Sequence, residues 1–429
     1  MKIAEIRTFV LEAPLSETFR WSFDQASRRG ACLVRVTTDT GLVGWGECFG
    51  PAAPNAAIVN YLADRLVGRD PLATERIWEE LYNGTRDQGR KGFAITAISG
   101  IDIALWDIKG RHWNAPVHQI LGGPLRLDVP AYATGTYRKA GRTGTDYILD
   151  EVKGYVAEGF TGVKLKIGLE LAEDIALVRG VRAAIGPDVA LMVDANHGYD
   201  ALEAIAFGRA VGDCDIGWFE EPVVPEDLGA YCEVRANQPI PVAGGETEFT
   251  RWGFRDVLAV KAMDVLQPDT CAAGGISECK KIADMANAYG VRYVPHVWGT
   301  AIGMAAALQL LAVLPHTPLR HTPVEQAGFC CELISVHLRI IVCRLHGLAK
   351  RLNRFVRTTV GNPRSDDSQH ARPFPFMSSR IHAEVRHKIL HRVRVEPPDA
   401  GDPCTARPRA REDAGLIDAK LESDALLEE

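Results

Sequence analysis

Lys164 and Lys166 stand one residue apart in Val163-Lys164-Leu165-Lys166-Ile167, a run that otherwise reads as a buried strand. Residues i and i+2 of a strand share a face, so both ammonium groups project to one side and Leu165 to the other. Two like charges on a buried face are stable where each has an anionic partner. They are also stable where one gives up its proton near neutral pH, because burial and a neighbouring cation both lower a lysine pKa. A solvated edge strand would accommodate the pair as well. What favours a site is the rest of the chain. Asp194, Glu220, Glu246, Asp269, His296 and Glu325 follow Lys166 at intervals of 23 to 29 residues, and each falls at or just past the end of a short apolar run. That interval is the length of one strand–helix unit.

Three carboxylates brought together without a cation would repel one another, so Asp194, Glu220 and Glu246 call for a bound ion. Oxygen-only ligands select a hard cation, and magnesium is favoured because it keeps positions open for water and substrate oxygens. Lys164 and Lys166 would stand to one side of that ion, Asp269 and His296 to the other. A substrate carboxylate held at the ion would then have a general base on each face of its α-carbon. Removal of that weakly acidic proton yields an enediolate whose charge the ion stabilises, while a positioned base adds roughly 10²–10⁴-fold. Asp269 beside His296 would orient the imidazole and favour its charged form.

The elements that must position these groups fall into two textures. Residues 2–12, 31–38 and 42–48 alternate or run apolar, with an Asp39-Thr40-Gly41 turn signal, and predict an antiparallel sheet. Helical periodicity follows over 55–66, 72–82 and 93–112, the last stopped by Trp113-Asn114-Ala115-Pro116. Segments 19–29 and 48–55 read as loops able to cover a site. From about residue 129, short apolar strands alternate with amphipathic helices. Eight strands are expected, near 130–134, 162–167, 189–194, 216–220, 241–245, 264–269, 291–296 and 319–325. Eight such units make a closed (β/α)8 barrel, in which the C-terminal strand ends converge on one mouth.

The 429 residues are 46% hydrophobic and 24% charged, enough for two domains, and the formal net charge of −6 gives no sign of nucleic acid or an anionic membrane as partner. The ten cysteines follow no framework or C-x-x-C pattern, which fits a reduced, cytoplasmic protein. The N-terminal segment carries charge where a signal peptide needs an apolar core. The most apolar segment, 301–314, is too short to span a bilayer and reads as a buried helix.

V-K-L-K at 163–166, D-A-N at 194–196, W-F-E-E-P at 218–222, G-G-E at 244–246, Q-P-D at 267–269 and P-H at 295–296 together resemble the enolase superfamily, mandelate racemase subgroup. The resemblance implies an α/β fold, a modified TIM barrel of (β/α)7β type at 126–325 under an N-terminal α+β capping domain at 1–125. It implies Mg2+ held by Asp194, Glu220 and Glu246. Lys166 is then the base on one face with Lys164 beside it near the substrate carboxylate, and His296 with Asp269 is the base on the other. It also places Glu325, Asn196 and Trp298 at the substrate, and suggests a homo-oligomer. R-D-Q-G at 86–89, D-A-N-H-G-Y at 194–199, E-E-P-V-V-P-E at 220–226, A-G-G-E-T at 243–247 and H-V-W-G-T at 296–300 are similar to members that open hexaric acid lactones of the galactaro- or glucarolactone type. The same residues would serve an acid-sugar dehydratase, racemase or epimerase.

The resemblance stops near Glu325. Between Arg339 and Arg394 thirteen Lys or Arg face three Asp or Glu, a local basic excess on an acidic chain. Residues 326–429 read as an atypical tail left by a frameshift. The other readings are an appended arm binding an anionic polymer, on a non-catalytic or unstable product, and a divergent segment that still packs. Cys330, Cys331, Cys343, His337 and His346 lack zinc-site spacing.

Overall fold

The computed structural model describes residues 1–126, 128–142 and 144–315, together with the backbone of 329–332 and 393–394. Three antiparallel strands, Ile3–Arg20, Gln25–Thr38 and Val43–Cys48, open the chain. The hairpin at 38–42 closes through Thr38 N–H to the Leu42 carbonyl at 2.9 Å, with Gly41 at φ 85°, a backbone region that glycine enters without a Cβ clash. Helices Ala52–Ala63 and Phe93–Trp113 pack on this sheet, and Thr74–Thr85 packs against Phe93–Trp113. The last ends at Asn114 in the left-handed conformation (φ 51°), a common helix stop.

One expectation for this part is corrected. Segment 19–29 is mostly strand rather than loop: Phe19 pairs with Ala26 and Arg20 with Gln25, and a tight turn is closed by Trp21 N–H to the Asp24 carbonyl. Phe19 and Arg20 also pair on their other edge with Lys139 and Arg138. Backbone pairing on both sides overrides a sequence without alternation, and it extends the capping sheet across to the second unit.

The second unit is a parallel sheet with helices between its strands. From one edge the strands run Arg292–Tyr293, Val265–Leu266, Val242–Gly244, Ile216–Glu220, Ala190–Asp194, Gly162–Lys166, Ala131–Thr134 and Phe329–Glu332. Expected strand 319–325, with Glu325, lies outside the described residues, as does nearly all of the tail. Side-chain alternation is strict where it matters. Val163, Leu165, Leu191, Val193 and Phe219 enter the outer core against the helices, while Tyr132, Met192, Trp218, Ala243, Val265 and Val294 form a separate inner cluster. Gly162 sits in that inner layer, where an added Cβ would lie 3.1 Å from that of Tyr132. Residues 164 and 166, two and four steps on, therefore face inward as well.

Between the two units, Leu33, Trp45, Ile103 and Trp106 of the first meet Cys271, Ile276, Ile302 and Ala306 of the second in one apolar cluster. Helix Ala301–Ala312 is buried along nearly its whole length because it is enclosed by both units, which explains a composition apolar all round. No described helix is long and apolar enough to cross a membrane.

Candidate active site

Lys166, Asp194 and Glu220 are the last residues of their strands; Glu246, Asp269 and His296 follow theirs within three residues. The parallel register sets Lys166 beside Asp194 and Asp194 beside Glu220. One oxygen from each of Asp194, Glu220 and Glu246 lies within 4.8 Å of the others, and Asp194 and Glu220 are fully buried.

Both lysines have the anionic partners that burial demands. Lys164 Nζ contacts Glu220 Oε1 and lies 3.2 Å from Asp194 Oδ2. Lys166 Nζ donates to Asp194 Oδ2 at 2.7 Å and to Asn196 Oδ1 at 3.0 Å, with the Tyr137 ring 5.2 Å away. Burial alone would raise the Asp194 pKa, but the Lys166 and Lys164 ammonium groups outweigh it and hold the carboxyl well below the usual range. For Glu220 the balance reverses, and burial raises its pKa despite Lys164. Trp218 Nε1 and Gln267 Nε2 donate to the second Glu220 oxygen at 2.9 and 2.6 Å, fixing the carboxylate's orientation.

At the other end of the acidic group, His296 Nε2 is 3.4 Å from Glu246 Oε2, while His296 Nδ1 lies 2.8 Å from Asp269 Oδ2. The second Asp269 oxygen accepts from Cys271 N–H at 2.6 Å. A carboxylate pinned this way orients an imidazole with Nε2 directed at the acids. Lys166 and His296 thus flank the three carboxylates from opposite ends.

A cluster of aromatic rings lies beside this mouth. Trp298, Trp21, Phe19 and Tyr137 have centroids 4.4 to 6.3 Å apart, and the Arg29 guanidinium sits 3.8 Å over Trp298. The hairpin carrying Phe19 and Trp21 docks through Ser22 Oγ, which donates to the Ala195 carbonyl at 2.5 Å and lies 3.3 Å from that of Ile167. Glycine is required below it: a Cβ at 198 would stand 2.3 Å from the Gly168 carbonyl.

Sequence reasoning missed several supporting groups. Asp174, fully buried, accepts from the N–H groups of Gly168 and Leu169 and from Tyr199 Oη at 2.9, 2.9 and 2.8 Å, tying the loops after the Lys166 and Asp194 strands together. Nothing in its helical context signals this. His197 and Glu221 lie inside quoted motifs without an assigned role. Both are left-handed (φ 67° and 43°), as is Asn196 (φ 42°), backbone positions that cost on the order of 1 kcal/mol or more each and need surrounding support. His197 N–H donates to the Glu221 carbonyl at 2.8 Å, and its Nε2 lies 3.0 Å from the Glu221 carboxylate.

Burial alone would lower the His197 pKa, but the Glu221 carboxylate, with Glu246 and Asp194 beyond it, raises it to about 9 from 6.5. A histidine that holds its proton more tightly folded than unfolded gives stability that is fully present below the unfolded pKa and lost as pH rises through the folded one. Urea unfolding of metal-free protein between pH 6 and 10 is expected to show that loss, with burial of Glu221, which raises its carboxyl to about 7, adding to it at the lower end of the range. His197→Gln is expected to remove the histidine component, and parallel curves for the two proteins would contradict the pairing.

The donor set fits a metal ion. Three convergent carboxylates with no nitrogen or sulfur suit a hard divalent cation such as Mg2+, and the two lysines now occupying their oxygens show how much positive charge the group accepts.

Comparison with known proteins follows the same lines. Residues 4–122 match the family described as mandelate racemase / muconate lactonizing enzyme, N-terminal domain, and residues 147–328 match enolase C-terminal domain-like. A D-galactarolactone cycloisomerase of Agrobacterium fabrum is 51% identical over 328 residues, 76% of this chain and 86% of that protein. An arabinonate dehydratase of Saccharolobus solfataricus is 36% identical over 66% of this chain and 76% of its own. The crystal structure of a 3,6-anhydro-D-galactonate cycloisomerase from Zobellia galactanivorans superposes with a TM-score of 0.71 at 38% identity, covering 79% of this chain and 89% of that one.

Proposed function

Because this chain belongs to the mandelate racemase / muconate lactonizing enzyme family of the enolase superfamily, we propose that it opens a hexaric acid lactone of the galactaro- or glucarolactone type to a 2-keto-3-deoxy acid. Asp194, Glu220 and Glu246 would hold Mg2+, which supplies electrostatic stabilisation for charge developing on the substrate carboxylate. The observation that carries the reading is the flanking of these acids by Lys166 at one end and His296 with Asp269 at the other. One of these two groups removes the proton α to the free carboxylate. The β carbon–oxygen bond of the lactone breaks, no water is added, and the resulting enol takes a proton at the β carbon to give the keto acid. Lys164 lies close enough to Lys166's acidic partner to add positive charge near the substrate carboxylate.

Trp298, Trp21 and Tyr137 would cover the sugar face and exclude water, with Asn196 and Glu325 at its polar groups. Water exclusion matters because hydrolysis of the lactone would compete with elimination. The 51% identical cycloisomerase supports this choice. The arabinonate dehydratase supports a second reading, in which the same proton abstraction is followed by loss of a β-hydroxyl from an open acid. The cytoplasm fits such a metabolic role. The test is a panel of galactarate and glucarate lactones and their open acids, with Mg2+ or with EDTA, followed by keto acid formation. Lactone turnover that EDTA stops is expected. Turnover of open acids alone would replace this reading by the dehydratase.

A further inference from the structure

Glu47 lies in the capping domain, at the end of strand Val43–Cys48, and is only 2% exposed. All three of its donors belong to the other unit. Oε1 accepts from Thr300 N–H at 2.8 Å, and Oε2 accepts from Thr300 Oγ1 at 2.6 Å and Gly303 N–H at 2.9 Å. Burial raises the pKa of this carboxyl against those three donors. A helix cap is not what the carboxylate alone supplies, since Thr300 Oγ1 already accepts from Ile302 N–H at 3.2 Å. Glu47 is a second cap, reaching across 253 residues of sequence. The site is cut to fit it: a Cβ at 299 would lie 2.8 Å from Oε1, and one at 303 would lie 3.2 Å from Oε2.

Thr300 ends the turn that begins at His296. Two residues beyond Glu47, Phe49 N–H donates to the Cys271 carbonyl at 3.0 Å, and Cys271 N–H is the donor that fixes Asp269. The Phe49 ring stands edge-on to the His296 ring with centroids 5.6 Å apart. Segment 47–49 therefore meets His296 through the Phe49 ring, reaches Asp269 by way of Cys271, and holds the far end of the 296–300 turn at Thr300. It makes no such contact with the Lys164–Lys166 strand among the interactions described.

We propose that Glu47 is a positioning residue through which the capping domain holds the 296–300 turn, so that His296 keeps its place against Asp269 and the acidic group. It acts through Thr300 and does not touch substrate. Its effect is one-sided, falling on the His296 end of the site and sparing the Lys166 end.

The test compares Glu47→Gln with Val59→Ala, a core change in helix Ala52–Ala63 remote from this turn. Gly299→Ala serves as a second variant that crowds the carboxylate while leaving it in place. Amide hydrogen exchange of the full chain is expected to rise across 295–303 in Glu47→Gln and Gly299→Ala and to stay unchanged across 162–167. Val59→Ala is expected to lower the melting temperature without that local pattern. Unchanged protection of 295–303 in both clasp variants overturns the proposal. The kinetic half rests on the proposed lactone chemistry: kcat is expected to fall about 10- to 100-fold in Glu47→Gln, with KM within about threefold. A kcat loss no larger than that of Val59→Ala at matched melting temperature also overturns it. If wild type turns over no substrate of the panel, the functional reading fails while the exchange contrast still decides the clasp.

Discussion

Glu246→Gln is expected to leave a folded protein with no measurable lactone turnover, a loss of roughly 10³-fold or more in kcat. The choice among the three acids follows from their surroundings. Glu220 accepts from Lys164, Trp218 and Gln267, and Asp194 from Lys166 and Asn196 N–H, so replacing either would leave buried donors unpaired and confuse folding with function. Glu246 has a side chain 15% exposed, and its contact among the described residues is His296 Nε2 at 3.4 Å. Removing its charge therefore costs little packing. The melting temperature in EDTA is expected to stay within about 3 °C of wild type, while calorimetric titration shows Mg2+ affinity sharply reduced. Wild-type turnover by this variant would refute the assignment of the metal ligands.

The second large effect separates the two flanking groups. Lys166→Met and His296→Asn are each expected to lower net turnover by about 10²–10⁴-fold. They differ in what survives. The variant that has lost the abstracting base exchanges no α-proton with solvent. The variant that keeps it continues to exchange substrate hydrogen while forming little product. Asp269→Asn is expected to follow His296→Asn, because an amide places no charge at 2.8 Å from Nδ1 and its NH2 can donate to Nδ1, favouring the tautomer that carries its proton on Nε2. Equal exchange in both base variants would mean that a third group abstracts the proton.

How much of this was legible in the sequence depends on how local the signal is. The interval between Lys166, Asp194, Glu220, Glu246, Asp269 and His296 is set by the strand–helix unit, so a linear reading finds the residues and their convergence. Strand alternation likewise explains why Lys164 and Lys166 face inward together with Gly162. The supporting groups are invisible for an equally physical reason. Glu47 meets Thr300 only after two units fold against each other, and Asp174 looks like any acid in the first turn of a helix. Segment 19–29 lacks alternation because it is held by backbone pairing, on both edges at Phe19 and Arg20, rather than by a buried face. His197 and Glu221 were hidden next to stronger motif residues. Position 325 and nearly all of the tail lie outside the described residues, and the expectation of a frameshifted end stands as a proposal on composition alone.

Proton NMR of the reaction run in D2O with Mg2+ and a hexaric acid lactone decides whether the chain opens the lactone by elimination. Lactone is expected to disappear and a 2-keto-3-deoxy acid to appear carrying one deuterium at C3, the former β carbon, with no signal from the open diacid. Open diacid as the product, or a keto acid with only protium at C3, would contradict elimination.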